Sequence, residues 1–261
     1  MTRRIDEFGD RMKAYEAVET ERRLDAQKPI YARIDGRAFS TFTRGMARPY
    51  DPAMTNAMIA TTAYLVDRTH ARIGYTQSDE ISLVWLADEP EADVFFSGKV
   101  LKMASVLASM AAAKFARVCP AGYEARLPHF DCRVLQLPDK TEAANAILWR
   151  AMDARKNAIQ AVAQCRFSPR QLHGMGQKDM LAMLAEQGVD FEVFPVEFKR
   201  GTFLQRRTEP RLLTNDELAR IPESYRPVGP VMRSFVVTLD LPPFNEVENR
   251  EAVIFANREE D

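Results

Sequence analysis

Two acidic positions in this sequence could do chemistry together. Asp35 follows Ile30, Tyr31 and Ile34, which are strand-forming types, and is followed by Gly36. Asp79 lies in Thr76-Gln77-Ser78-Asp79-Glu80, a short polar link between the strand-like runs 71–75 and 81–86. An Asp at the end of a buried strand is costly unless something neutralises it. A glycine beside it lets the chain turn and lets a ligand approach. Either acidic dipeptide alone reads as a turn. On neighbouring strands, two carboxylates plus a backbone carbonyl near Gly36 make an all-oxygen set suited to Mg²⁺. Two such ions could clamp the attacking and leaving oxygens of an in-line phosphoryl or nucleotidyl transfer.

Such a reaction also needs cations for phosphate. Arg33, Arg37, Arg44 and Arg48 surround the first Asp in sequence, and Lys99 and Lys102 are spaced for one helical face. Taken singly, each reads as a solvated charge. No phosphate-loop sequence of the Walker type is present. His70, His129 and His173 have no ligand or triad spacing, and Trp85 and Trp149 read as core residues of a strand and a helix. Arg150, Asp153 and Asn157 share a helical face, either as an intrahelical pair or as a nucleic-acid contact.

The elements that must position these groups follow from periodicity. Residues 4–25 carry Ile5, Phe8, Met12, Tyr15 and Val18 at amphipathic helical spacing. The Asp35 strand comes next, followed by a loop over 37–50. Asp51-Pro52 caps and opens a helix to about His70. The acidic-tipped hairpin follows, then a helix over 93–117 and a strand over 130–137. Strand, helix, strand, strand, helix, strand is the split βαβ order of ferredoxin-like α/β (α+β) domains, which also describes polymerase palms and nucleotide cyclases. A second long helix is expected over 141–167, a cap and restart at Ser168-Pro169, and a helix over 177–187. After Val189 the chain reads as strands and loops, with a turn at 199–202, a strand at 233–239 and a fraying tail from Glu246. The expected organisation is a catalytic domain over 1–140 with an extension over 141–261 packed on it.

Composition bounds the partners. The chain has 261 residues, 46% of them hydrophobic and 28% charged, which suits a globular domain with a core. Lys and Arg number 36 against 37 Asp and Glu, a net charge of −1, so any nucleic-acid surface must be local. Cys119, Cys132 and Cys165 have neither disulfide nor metal-site spacing. The first residues carry charges where a leader peptide needs an apolar run, and no stretch suits a bilayer span, so a cytoplasmic location without membrane contact is expected.

Five segments, taken in order, resemble the tRNA-His guanylyltransferase family and its Thg1-like relatives. They are Arg33-Ile-Asp-Gly-Arg-Ala-Phe39, Gln77-Ser-Asp-Glu-Ile-Ser82, Phe130-Asp-Cys-Arg-Val134, Trp149-Arg-x-x-Asp153-x-x-x-Asn157 and Lys199-Arg-Gly-Thr202. The resemblance spans roughly residues 5 to 205 and implies a palm-like catalytic domain. It also implies addition of nucleotides to a tRNA 5′ end in the 3′-to-5′ direction, after ATP activates the 5′-phosphate and with GTP or another nucleoside triphosphate incoming. By that resemblance Asp35, Asp79 and the Gly36 carbonyl would bind two Mg²⁺ ions, with Ser78 and Glu80 flanking them and Glu80 counted as catalytic. Arg33, Arg37, Arg48, Ser78, Lys99 and Lys102 would meet nucleotide. Arg150, Asp153, Arg155, Asn157, Lys178 and Arg200 would meet tRNA. A homo-oligomer, a tetramer in particular, is implied as well.

The departures from the family pattern leave the two metal-binding Asp residues implied by the resemblance in place. Arg155-Lys156-Asn157-Ala158 stands where eukaryotic members carry a His-Ile-Asn-Asn run, Ser40 replaces a His, and Thr76 replaces a Gly. These changes point towards template-dependent repair of 5′-truncated tRNA more than towards tRNA-His alone. Two other functions remain open to the same residues. A nucleotide cyclase or another nucleotidyl transfer on the palm would form product from GTP or ATP alone. A non-catalytic tRNA-binding module would bind without both Asp residues.

Overall fold

The computed structural model describes residues 7–255. Its centre is a six-stranded, fully antiparallel sheet, in the order β4-β1-β3-β2-β5-β6. The strands are β1 (Ile30–Gly36), β2 (Ile73–Gln77), β3 (Glu80–Trp85), β4 (Phe130–Gln136), β5 (Thr202–Arg211) and β6 (Val231–Leu239). With helices α3 (Pro52–Thr69) and α4 (Val100–Val118), the first four strands make the βαββαβ order expected from the sequence. Because β2 pairs with β5 on its free edge, the C-terminal strands extend this same sheet.

Alternation along the strands gives the sheet two faces. On one face Ile30, Ala32, Ile34, Ile81, Leu83 and Trp85 pack with Leu65, Leu107 and Phe115 of α3 and α4. On the other, Tyr31, Ile73, Tyr75 and Val84 pack under α5 (Lys140–Gln164) together with Phe244 and Ile254. Ile254 belongs to α10 (Arg250–Phe255), so the tail from Glu246, expected to fray, is packed as far as the described residues go. A third cluster joins the end of α5 to Met180 and Leu184 of α7 (Gln177–Glu186) and to Phe191. A one-turn helix, α6 (Pro169–Leu172), precedes α7 where Ser168 restarts the chain.

Several expectations are corrected by tertiary contacts. The helix foreseen over 93–117 breaks at Phe96, Ser97 and Gly98, all three left-handed, before α4 begins. The neighbouring segment causes the break: Leu24 N–H donates to the Gly98 carbonyl at 3.0 Å, and Val100 N–H donates to the Arg22 carbonyl at 3.0 Å. The first helix, α1 (Glu7–Thr20), is shorter than the amphipathic pattern, and Phe8, Met12, Tyr15 and Val18 are exposed; Ile5 lies outside the described residues. The loop over 37–50 contains α2 (Phe39–Phe42), which adds Phe39 and Phe42 to an aromatic cluster with Phe115 and Phe130. Beyond Val189 the chain forms a 3₁₀ turn (Phe191–Val193) and then α8 (Val196–Arg200), and Gly201, at φ +73°, turns it into β5. A short α9 (Asn215–Ala219) lies in the β5–β6 connection. Among the described residues no helix is long and apolar enough to cross a membrane.

Candidate functional site

The carboxylates converge because β1 and β3 pair in register. Asp35, at the end of β1, stands opposite Glu80, the first residue of β3. The hairpin turn before it consists of Ser78 and Asp79 alone, with Ser78 held at φ +50°. Gly36 N–H donates to the Asp79 carbonyl at 3.0 Å, which ties the two acidic segments together through the backbone. A Cβ on Gly36 would stand 2.4 Å from the Phe39 ring, so only glycine lets the aromatic cluster close beneath the acidic end of β1.

The electrostatics match that geometry. Burial pushes the Asp79 carboxyl up to about 6; the Ser78 hydroxyl, donating at 3.0 Å, opposes this and the charge of Asp35 adds to it. Asp35, Asp79 and the Gly36 carbonyl could together hold a hard dication, which would reverse that push. Among the described residues no three His, Cys, Asp or Glu side chains are arranged to hold a metal ion by themselves. An ion here would therefore complete its shell with water and substrate phosphate, as Mg²⁺ does.

Glu80 is occupied differently. It is buried, and both its oxygens accept from Arg150 of α5, at 2.6 and 2.7 Å. Burial pushes its carboxyl up and the guanidinium opposes that push. Arg150 also donates to Asp153 at 3.1 Å, so the intrahelical pair of the sequence reading exists and is extended by a buried bridge to the sheet. Arg150 is thus buried in the fold. Arg33, two residues before Asp35 on the same face, lays its guanidinium 5.5 Å from the Trp149 ring centre. Trp85 is core, at 2% exposure, with its indole N–H donating to the Thr69 carbonyl. Trp149 is not core: it is 57% exposed.

A cleft of about 360 Å³ opens beside Asp79. Its walls include Ser78 and Asp79 from the hairpin, Arg48 and Tyr50 from the loop before α3, Asn157 from α5 and Phe198 from α8. Asp51 fixes the loop wall: its carboxylate caps α3 at Ala53 and Met54 and also accepts from Ala47 N–H at 3.0 Å. The size suits one nucleotide. Sequence reasoning read Asp51 as a helix cap; that the same cap builds a wall of the cleft depends on the fold.

The remaining candidates are scattered. Arg37 is exposed just past Gly36. Lys99 and Lys102 are not brought to the carboxylates: β3 leads away from Glu80 through Trp85, and Lys99 bridges to Arg23 at the far end of the sheet. Arg155 pairs with Glu192 at 3.0 Å, and with Arg200 it lines a second hollow of about 760 Å³ on the other flank of α5. Lys178 is exposed on α7, beside Gln177 of that hollow.

Residues 9–138 match the family model for tRNAHis guanylyltransferase (Thg1). A solved bacterial tRNA(His) guanylyltransferase (Thg1)-like protein in complex with ATP is 32% identical, with a TM-score of 0.79, over 96% of this chain and 100% of that one. The chain belongs to the tRNA-His guanylyltransferase family. The match to the GTP complex of a bacterial Thg1-like protein has a TM-score of 0.75 at 31% identity and the same coverage. An uncharacterised protein of Acanthamoeba polyphaga mimivirus is 28% identical over 234 residues, 77% of each chain. The tRNA(His) guanylyltransferase of Eremothecium gossypii is 25% identical over 201 residues, covering 69% of this chain and 83% of that protein. Members of the family are nucleotidyltransferases, and the palm-like α/β fold expected from the sequence is the one these proteins share.

Proposed function

We propose that this chain is a Mg²⁺-dependent nucleotidyltransferase that adds nucleotides to the 5′ end of tRNA in the 3′-to-5′ direction, after ATP activates the 5′-phosphate. The observation that carries this reading is the meeting of Asp35 and Asp79 at the mouth of a nucleotide-sized cleft. The bacterial Thg1-like neighbours, matched over 96% of the chain, were solved with ATP and with GTP, which supports those nucleotides as substrates. The departures at Ser40, Thr76 and 155–158 favour 5′-truncated tRNAs in general over tRNA-His alone.

The roles follow from position. Asp35, Asp79 and the Gly36 carbonyl hold two Mg²⁺ ions, which when bound stabilise charge on the oxygens of the transferring phosphate. Arg150 locks Glu80, so this carboxylate adds to the acidic field without shifting position. Ser78 and Arg48, on the cleft walls, take phosphate oxygens, and Asn157 faces the bound nucleotide. Arg33 and Arg37 flank the reacting end of β1. Asp153 keeps Arg150 in place, while Arg155, Lys178 and Arg200 form a flank for tRNA. Lys99 and Lys102, one strand length away, serve the site of a neighbouring copy in a homo-oligomer, in keeping with a tetramer. The enzyme acts in the cytoplasm.

The test is an end-extension assay with Mg²⁺, ATP, GTP and a 5′-truncated tRNA bearing a 5′-monophosphate. Wild-type protein is expected to lengthen the 5′ end, and Asp35→Ala and Asp79→Ala are each expected to abolish it. Retention of extension in either variant would sink the metal assignment. A cyclic product from GTP or ATP alone would replace this reading with a cyclase.

A further inference from the structure

We propose that the open half of the sheet face beside Asp35, with Trp149 at its edge and Arg33 and Arg133 across it, seats the 5′-terminal nucleotide of the RNA. This rests on the nucleotidyl-transfer reading and says where the second reactant lies. On β1 and β4, alternate residues Ile34, Ala32, Phe130 and Cys132 face α3 and α4. The intervening ones face the side of α5, but α5 covers only part of that face: Asp131, Arg133 and Leu135 of β4 are exposed.

Two observations point to an occupant. First, Arg33 and Arg133 are directly opposite in the β1–β4 register. Like charges so placed repel across roughly 5 Å, and a phosphate between them converts the repulsion into two charge-assisted contacts. Arg133 has only a 3.7 Å approach to Asp131, and its side chain is 57% exposed. Second, Trp149 presents an aromatic surface, 57% exposed, with the Arg33 guanidinium 5.5 Å and the Arg150 guanidinium 4.6 Å from its ring centre. Aromatic platforms interleaved with arginine hold unpaired bases by stacking.

The occupant is the RNA end and not the incoming nucleotide. The cleft beside Asp79 is walled on several sides and is sized for one nucleotide, while the β1–β4 face is open and leaves room for a polymer. Asp35 and Asp79 lie between the two, which is where a transfer from one to the other must occur.

Fluorescence tests this directly, because the chain has two tryptophans and Trp85 is buried. Full-length protein in Mg²⁺ is titrated with a 5′-monophosphorylated, 5′-truncated tRNA transcript, and separately with GTP. RNA is expected to quench emission, GTP is not, and Trp149→Phe removes the quench. Trp149→Ala is expected to raise KM for the RNA about ten-fold or more and KM for GTP less than two-fold. Arg133→Ala shifts the RNA titration in the same direction. Absence of an RNA quench, or a quench by GTP alone, overturns the proposal. Asp35→Ala separates the two readings: it should abolish extension and keep the quench. Extension without any quench would leave the enzyme reading standing and remove the platform.

Discussion

At the hairpin tip the Asp79 carboxyl lies largely out of water beside the charge of Asp35, and this sets its pH behaviour. Its value is pushed from 3.8 up to about 6 by burial first and by Asp35 in addition. Between those values the folded chain holds a proton that the unfolded chain has lost. The contribution of Asp79 to stability is therefore greatest at low pH and falls as pH rises from about 4 to about 6. In EDTA the fall amounts to at most about 3 kcal/mol. Urea midpoints of wild type and Asp79→Asn, compared from pH 4 to 7, isolate this group; a difference that stays flat with pH would refute the burial account. Saturating Mg²⁺ is expected to remove the fall, since a bound dication favours the ionised form.

The Glu80–Arg150 bridge is the other residue-scale dependence. Arg150→Met leaves a buried carboxylate without its partner and should cost about 3–5 kcal/mol, measured by urea denaturation. Adding Glu80→Gln to that variant should recover much of the loss; a second variant no more stable than the first would show that the bridge is not the cause. At this scale the sequence was partly legible. Asp35, Gly36 and Asp79 stood out because a charge at a strand end needs a reason. The Arg150–Asp153 pair followed from helical spacing. The bond from Arg150 to Glu80 spans 70 positions and depends on which way α5 faces the sheet, which no local pattern encodes. Trp149 was read as core for the same reason.

At the scale of elements, the turn from β1 into α2 is the sensitive point. The Phe39 ring lies against Gly36 and is itself hemmed in by Phe42, Phe115 and Phe130, so it cannot give way cheaply. Gly36→Ala is expected to cost about 2–3 kcal/mol by overpacking and to lower 5′-extension activity further by displacing Asp35. Urea denaturation and the extension assay check the two parts. Wild-type stability in this variant would mean that the cluster is looser than its ring distances of 4.9 to 5.8 Å imply. The βαββαβ order was legible because each element carries its own period and its own cap. The positions of Lys99 and Lys102 were not: their spacing placed them on one helical face, but strand direction carries them to the far end of the sheet. The break before α4 was hidden as well, because hydrogen bonds from a segment some 75 residues earlier impose it.

For the molecule as a whole, α5 is the shared wall. It carries Arg150 to Glu80, Trp149 to the open sheet face and Asn157 to the cleft, and its outer flank lines the second hollow. The α3 and α4 cluster does not hold it. Its seat is the second cluster, where the Phe244 ring packs tilted against Phe203 at 4.7 Å, Thr141 donates to Glu251 at 2.6 Å, and Gln205 donates to the Val253 carbonyl at 3.0 Å. The C-terminal segment thus supports the helix that carries Arg150, Trp149 and Asn157. Two truncations of comparable cost separate this from general stability. Phe244→Ala and Leu107→Ala should each lose about 2–5 kcal/mol, the first from the cluster under α5 and the second from the opposite core. Measured at a temperature where both are folded, Phe244→Ala is expected to reduce 5′-extension per folded molecule several-fold, and Leu107→Ala to leave it near wild type. Equal losses would show that the sheet alone holds α5 in register, through the Arg150 bridge, and that the C-terminal segment contributes stability without orientation.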